Sequence, residues 1–308
     1  LIMSFLLLII GLTMLIFGAE AIIRGSVSLA KHLQISLFAI GAVVVAAGTS
    51  LPELANCIRA IIMDHSDIAV GAVVGSNIAN VALIMGTTTI LCPILLITSN
   101  QLNQGIINIL IALGIIILSW FSFSFNMIFG IISILLLVTI MFYLIKNGSI
   151  DVSEIEEQRT HNLIITVIFI LVGISFLIVG ANFFINSAIN IATEFEIPES
   201  IIGVSLVAFG TSLPELVVGL VAAIRKKVDF ALGNVLGSNI YNILGILGVS
   251  SFFGNFRIPA LITNFDLYVM IGMTLFIFLF MFFSKKLSKL FGIISLLVYF
   301  SYITFLYV

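Results

Sequence analysis

Seven consecutive residues occur twice in this chain, and this duplication constrains its fold more than any other feature. Residues 48–54 read Gly-Thr-Ser-Leu-Pro-Glu-Leu, and the same seven letters return at residues 210–216. Both copies lie within long apolar stretches, where a glutamate is energetically unfavourable. The exact repetition of a Pro-Glu pair in such surroundings predicts that Glu53 and Glu215 serve the function of the protein.

The duplication extends well beyond these residues. A shift of 162 residues aligns the two parts of the chain without a gap around the first motif. It places residues 75–78, Gly-Ser-Asn-Ile, on the identical residues 237–240, and Asn80 on Asn242. The sequence therefore predicts two copies of one structural unit.

Composition indicates an integral membrane protein. The chain has 308 residues, of which 61% are hydrophobic and 8% are charged, whereas a soluble domain carries roughly 25% charged residues. Its apolar stretches are about 20 residues long, the length of a membrane-spanning helix. We predict an all-α membrane protein with ten spans, near residues 4–25, 37–62, 67–90, 104–122, 125–146, 162–187, 200–224, 229–253, 264–284 and 288–307.

An odd number of spans in each unit predicts inverted repeats. The polar segment 147–161 carries several acidic residues and separates two sets of five spans. We expect it to be a cytoplasmic linker between a first repeat, residues 1–146, and a second repeat, residues 162–308. Because five is odd, the second copy must enter the membrane from the opposite side, which relates the two copies by an axis in the membrane plane.

The distribution of basic residues gives an independent orientation. With both termini outside, the outer loops hold only Arg59 and Arg257, and the inner loops hold ten basic residues. This is the bias expected of cytoplasmic loops, and it favours an outside location for the N- and C-termini. The ten inner residues are Arg24, Lys31, Lys146, Arg159, Arg225, Lys226, Lys227, Lys285, Lys286 and Lys289.

The residues around each deep glutamate indicate an oxygen-rich cation site. Pro52 and Pro214 lack an N–H, so each should break or kink its helix just before the glutamate. Irregular backbone at membrane depth is tolerated where it lines a cavity or is buried in protein. Freed carbonyls, hydroxyls and carboxylates are the ligands of hard cations such as Ca²⁺ and Na⁺.

The second motif supplies further oxygen ligands. We expect helix breaks at residues 75–77 and 237–239, followed by the amides of Asn80 and Asn242. In each copy the Glu and the Asn are 27 residues apart, which suits adjacent antiparallel helices that meet near the membrane centre. Two carboxylates give such a site a formal charge of −2, which matches one Ca²⁺ or two Na⁺.

With these two motifs the chain resembles the cation/Ca²⁺ exchanger superfamily, and the prokaryotic Na⁺/Ca²⁺ exchangers in particular. The resemblance implies a Na⁺/Ca²⁺ antiporter of the cell membrane that works by alternating access, with the first and sixth spans as a mobile pair. It implies that Glu53 and Glu215 bind both ions, that Thr49 and Thr211 contribute backbone carbonyls, and that Asn80 and Asn242 line the centre. It also implies that four serines contribute oxygens to Na⁺ positions: Ser50, Ser212, Ser76 and Ser238.

One position departs from the family pattern. Exchangers with Asn at the position of Asn80 often carry Asp at the position of Asn242, whereas here both residues are Asn. The departure leaves the Na⁺:Ca²⁺ stoichiometry open. It also leaves open a Ca²⁺/H⁺ antiporter, because low-dielectric surroundings favour the protonated form of a carboxyl group, and a K⁺-dependent antiporter.

Other classes of protein fit the sequence less well. A cation channel is disfavoured because the motifs form one inverted pair and not a ring of equivalent subunits. An enzyme is disfavoured because His32, His65 and His161 all fall in connections, away from the deep carboxylates. We expect a monomer with no cofactor and, from its net charge of −2, no nucleic-acid partner.

Overall fold

A computed structural model describes residues 2–148, 161–195 and 208–307. Within these ranges the chain is helical, and its extended segments meet only in two isolated antiparallel bridges, Ile94 with Leu287 and Phe125 with Phe256. Of the predicted linker 147–161, only Asn147, Gly148 and His161 fall within the described residues.

The helices follow the predicted spans in order. The first repeat contains α1 (Ile2–Leu33), α2 (Leu37–Thr49), α3 (Leu51–Ile62), α4 (Ser66–Leu91), α5 (Ser99–Trp120) and α6 (Met127–Asn147). The second repeat contains α7 (Leu163–Glu194), α8 (Ala208–Thr211), α9 (Leu213–Ile224), α10 (Val228–Ser250), α11 (Ile262–Ser284) and α12 (Lys289–Tyr307).

Eight of the described helices are long and apolar enough to cross a membrane. A ninth span results if α2 and α3, which meet at a bend of 43°, are counted together. The predicted span 200–224 is described only from residue 208 onward, as the short helices α8 and α9. Its first eight residues lie outside the described ranges, so the count of ten spans stays a prediction.

The long helices form two apolar clusters. The larger cluster is built mainly from α4, α5, α6, α10, α11 and α12. The smaller cluster joins α1 and α7 to α2 and α9, with Leu15, Ile22 and Leu177 completely or almost completely buried. Helices α4 and α10 are the most buried of the eight long helices, so the second sequence motif lies in the centre of the protein.

Helices α1 and α7 lie antiparallel against each other through glycines. A Cβ atom built on Gly18 would lie 2.9 Å from the backbone oxygen of Gly173, and one built on Gly180 would lie 2.9 Å from that of Gly11. Glycines allow this close approach, which is typical of helix pairs in membranes. The antiparallel arrangement of these repeat-equivalent helices is the one that an inverted duplication requires.

An ion pair in the second half of α1 also joins the two repeats. Glu20 accepts a hydrogen bond from Nε of Arg24, one turn away, at 2.7 Å. Its carboxylate also accepts two bonds from the guanidinium of Arg225, at 2.8 and 2.9 Å. Arg225 follows α9 directly, so the pair connects α1 to the second repeat, a contact that the sequence did not reveal.

We predict that Gly18→Ala lowers the free energy of unfolding by about 1–3 kcal/mol, the usual effect of overpacking a tight contact. The added methyl group would collide with backbone atoms of α7, which cannot rotate away. Gly114→Ala in α5 is the matched control, because a Cβ there meets no atom within 4 Å. Thermal unfolding of both purified variants in detergent tests this, and equal midpoints would contradict the close packing of α1 on α7.

Candidate cation-binding site

A helix interruption lies inside each copy of the duplicated motif, as predicted from the positions of the prolines. Helix α2 ends at Thr49, Ser50 adopts φ −82° and ψ 4°, and α3 begins at Leu51. The second repeat behaves alike, with Ser212 at φ −88° and ψ 5° between α8 and α9. A proline follows each interruption within the first turn of the new helix, where its missing N–H has no cost.

The two glutamates occupy the first turns of α3 and α9. Glu53 is 4% exposed and Glu215 is 1% exposed, and no other charged residue in the described ranges is equally buried. Both carboxylate oxygens of Glu53 and Oε2 of Glu215 lack a hydrogen-bond partner. The positive end of each helix dipole compensates the negative charge in part.

The two repeats bring their motifs together at this point. The Glu215 carboxylate lies beside the hydroxyl groups of Thr49 and Ser50 from the other repeat, and the charges of the two glutamates are close enough to repel each other. The Ser76 and Ser212 hydroxyl oxygens are 3.3 Å apart. The first motif of one repeat therefore faces both motifs of the other.

The expected helix breaks at residues 75–77 and 237–239 are wrong. Helix α4 continues through Ser76 in α-helical geometry and changes to a π-helix only at Asn80–Met85. Helix α10 does the same at Tyr241–Leu247. Glycine and asparagine, unlike proline, retain the N–H that continues a helix. The irregularity is instead a widened π turn, which is frequent at functional sites.

Four asparagines form two hydrogen bonds between α4 and α10. The Asn80 Nδ2 group donates to Oδ1 of Asn239 at 2.9 Å, and the Asn242 Nδ2 group donates to Oδ1 of Asn77 at 2.9 Å. All four side chains are buried. The amide oxygens of Asn80 and Asn242 remain without a partner.

The buried polar atoms of this region that lack a hydrogen-bond partner are mostly acceptors. Besides the carboxylate and amide oxygens, the hydroxyl groups of Ser50 and Ser238 also lack a partner. Such an excess of unpaired oxygens in a protein interior is unfavourable unless a ligand satisfies it. The unpaired oxygens are Ser50 Oγ, Glu53 Oε1 and Oε2, Asn80 Oδ1, Glu215 Oε2, Ser238 Oγ and Asn242 Oδ1.

The donor set suits a hard cation. No group of three or more His, Cys, Asp or Glu side chains in the described residues could hold a metal ion, so soft or borderline ions would find no set of their preferred ligands there. Ca²⁺ and Na⁺ accept carboxylate, amide, hydroxyl and carbonyl oxygens together. Cys57 and Cys92 are both free thiols.

The two threonines of the motif differ in their surroundings. Thr49 is buried, and its hydroxyl donates to the carbonyl of Val45 at 3.1 Å and lies 3.5 Å from Oδ1 of Asn234. Thr211 is only half-buried, at the end of α8. The repeat equivalent of Asn234 is Ala72, so this contact belongs to one half of the site alone.

Three buried asparagines near the site were not assigned roles from the sequence. Asn77 and Asn239 stand in the duplicated Gly-Ser-Asn motif, so their repetition was a signal that they share in the site. Asn234 carried no such signal because its counterpart in the first repeat is Ala72. A search for residues that occur in both repeats does not find a functional residue that occurs in only one of them.

The profile of the sodium/calcium exchanger protein family matches residues 3–154 and 165–308. The chain belongs to the sodium/calcium exchanger family. This is a family of transporters, and membership agrees with the resemblance seen in the two motifs. The chain is a multi-pass membrane protein, consistent with a place in the cell membrane.

Relatives and solved structures align over nearly the whole exchanger chain. It is 35% identical over 297 residues to an uncharacterized membrane protein of Methanocaldococcus jannaschii, covering 94% of each chain. It is 31% identical over 357 residues to the sodium/calcium exchanger MaX1 of Methanosarcina acetivorans, covering 99% of this chain and 98% of that one. The structure of the sodium-calcium exchanger NCX_Mj, soaked with zero Na⁺ and Ca²⁺, matches with a TM-score of 0.88 and 32% identity over 99% of each chain.

Proposed function

We propose that the protein is a Na⁺/Ca²⁺ antiporter that extrudes Ca²⁺ with the energy of the Na⁺ gradient. The observation that carries this proposal is the pair of buried carboxylates, Glu53 and Glu215, surrounded by unpaired oxygens where the two repeats meet. Their formal charge of −2 is neutralised equally by one Ca²⁺ or by two Na⁺. The two ions would therefore compete for one site, which is the basis of exchange.

Ten residues would hold the transported ions. The carboxylates of both glutamates would contact Ca²⁺ and Na⁺, the amide oxygens of two asparagines would line the centre, and hydroxyls and threonine carbonyls would complete the coordination. Eight of these residues are buried, and their oxygens are either unpaired or in contact across the repeats, which supports their assignment. The assignment of Thr49 and Thr211 depends on the sequence motif alone. The residues are Glu53, Glu215, Asn80, Asn242, Thr49, Thr211, Ser50, Ser212, Ser76 and Ser238.

We propose ten spans in two inverted repeats, residues 1–146 and 162–308, with a cytoplasmic linker at 147–161 and both termini outside. The antiparallel contact between α1 and α7 supports the inversion. The similar interruptions at Ser50 and Ser212 support the equivalence of the two halves. The basic residues of the inner loops support the orientation.

Unequal coverage of the two repeats supports alternating access. Leu213 at the start of α9 is 5% exposed because α1 and α7 pack over this helix, whereas its repeat equivalent Leu51 is 46% exposed. In the proposed orientation α9 runs toward the cytoplasm and α3 toward the outside. The cytoplasmic side of the site would therefore be covered by α1 and α7 and the outer side left less covered, and movement of α1 and α7 would reverse this difference.

We predict that an outward gradient of Na⁺ alone drives Ca²⁺ uptake into proteoliposomes. Uptake is compared under three conditions: Na⁺ loaded inside, an acidic lumen without Na⁺, and neither gradient. Uptake with internal Na⁺ only is the result expected of a Na⁺/Ca²⁺ exchanger. Uptake with the proton gradient alone would overturn the proposal in favour of a Ca²⁺/H⁺ antiporter, and rapid uptake with neither would indicate a channel. Repeating the assay with and without K⁺ tests K⁺ dependence.

We predict that Glu53→Gln or Glu215→Gln abolishes Na⁺-driven Ca²⁺ uptake while the protein still folds. Losing a carboxylate ligand should exceed the roughly 10–100-fold effect typical of residues that only support a metal ligand. Asp64→Asn is the matched control, since Asp64 is an exposed carboxylate in a turn whose positive φ an asparagine tolerates. Normal exchange in either glutamine variant would refute the site assignment.

We also predict that Asn242→Asp changes the response to Na⁺ more than the recognition of Ca²⁺. A third carboxylate at the centre would favour the binding of an additional Na⁺. The charge of Ca²⁺ is already balanced by the two glutamates, so its recognition should change less. The measurements are the Na⁺ concentration dependence of Ca²⁺ uptake and the current that accompanies it. Unchanged Na⁺ dependence and unchanged current would count against a central position for Asn242.

A further inference from the structure

The four asparagines of α4 and α10 are paired so that two of them use their NH₂ group and keep an unpaired oxygen. In Asn80 and in Asn242, Nδ2 is used in a hydrogen bond at 2.9 Å and Oδ1 has no partner. An amide has a donor end and an acceptor end of nearly equal size. A free amide could turn either end toward a bound ion, and its NH₂ group would repel a cation.

In both cases the acceptor comes from the other repeat. Asn239 on α10 accepts from Asn80 on α4, and Asn77 on α4 accepts from Asn242 on α10. The Asn77 amide is in turn oriented by α11, because its Nδ2 group lies 3.6 Å from Sδ of Met270. Asn80 and Asn242 are equivalent in the two repeats, and so are Asn77 and Asn239. The same hydrogen bond therefore occurs twice, once in each direction between the repeats.

We propose that Asn77 and Asn239 are positioning residues that hold the Asn242 and Asn80 amides with their oxygens toward the transported cation. This inference rests on the proposed function, since it concerns the same site. Asn77 and Asn239 act through their partner amides and need not touch the ion themselves. Their contribution should appear as a loss of cation affinity when the acceptor is removed.

The arrangement also explains how the site accommodates Asn in place of Asp at position 242. An amide can donate to Oδ1 of Asn77, whereas an ionised carboxylate has no proton to donate. With Asp at this position, two oxygens would face each other unless the Asn77 amide turned over and gave up its contact with Met270. The identity of residue 242 and the orientation of Asn77 are therefore coupled.

A double-mutant cycle tests the pairing. Ca²⁺ binding is titrated in Na⁺-free buffer through the rise of the thermal unfolding midpoint of purified protein, which reports affinity without requiring transport. Asn77→Leu, which retains the size of the side chain and removes the acceptor, should weaken binding by roughly 3- to 10-fold, the worth of one neutral hydrogen bond. In an Asn242→Ala background the same substitution should change the affinity by less than about twofold.

The within-repeat pair is the matched control. Asn77→Leu combined with Asn80→Ala should give the product of the two single effects, because Asn77 bonds to Asn242 and not to Asn80. The second cycle, Asn239→Leu with Asn80→Ala, should show the same coupling as the first. If a leucine variant does not fold, Asn77→Ala and Asn239→Ala remove the same acceptors without adding an apolar group.

Two results would overturn the inference. One is independence of the cross-repeat pairs, and the other is equal coupling within and across repeats, which would indicate a general structural role. Failure of the proposed function is recognised separately. In that case the unmodified protein shows no Na⁺-driven Ca²⁺ uptake, or Glu53→Gln retains its Ca²⁺-dependent stabilisation, whatever the cycles show.

Discussion

The burial of two neighbouring carboxylates without a basic partner is the condition on which the rest of the structure depends. Glu53 and Glu215 repel each other, and none of the ion pairs among the described residues includes either of them. The dipoles of α3 and α9 provide about half a positive charge each, which is too little to neutralise two carboxylates. The remaining charge creates a requirement for cations, and an antiporter satisfies that requirement in alternation with two different ions.

The inverted duplication that we propose would allow one chain to build such a site. Each repeat interrupts a helix at a serine, so that the start of the next helix points a glutamate toward the centre of the protein. Helices α1 and α7 of the two repeats run in opposite directions, and the starts of α3 and α9 lie close together. Hydrogen bonds across the repeats, between Asn80 and Asn239 and between Asn242 and Asn77, join the two halves where the ions would bind.

Local chemistry decided which helix interruptions could be predicted. Pro52 and Pro214 have no N–H, so a break just before them follows from covalent structure alone, and the structure confirms it. The breaks expected at Gly75 and Gly237 were wrong because glycine only weakens a helix, and burial of α4 and α10 compensates for that weakness. Gly237 instead allows the backbone of Ala42 to approach closely, a contact that depends on a distant segment.

Partners across the repeats could not be predicted, since pairing depends on three-dimensional placement. The motif identified Asn80 and Asn242 as candidate ligands, but only the fold shows that Asn77 and Asn239 hold their amides. Asn234 and Arg225 lack repeat counterparts of the same type and emerged only from contacts with Thr49 and Glu20.

The sequence by itself determined the membrane class, the duplication, the proline-induced interruptions and the presence of two deep carboxylates, because these follow from composition, covalent geometry and solvation energy. The tertiary structure alone decided which oxygens remain unpaired, which side of the site α1 and α7 cover, and which asparagines hold one another. These features depend on contacts between residues far apart in the chain, and no local pattern specifies such contacts.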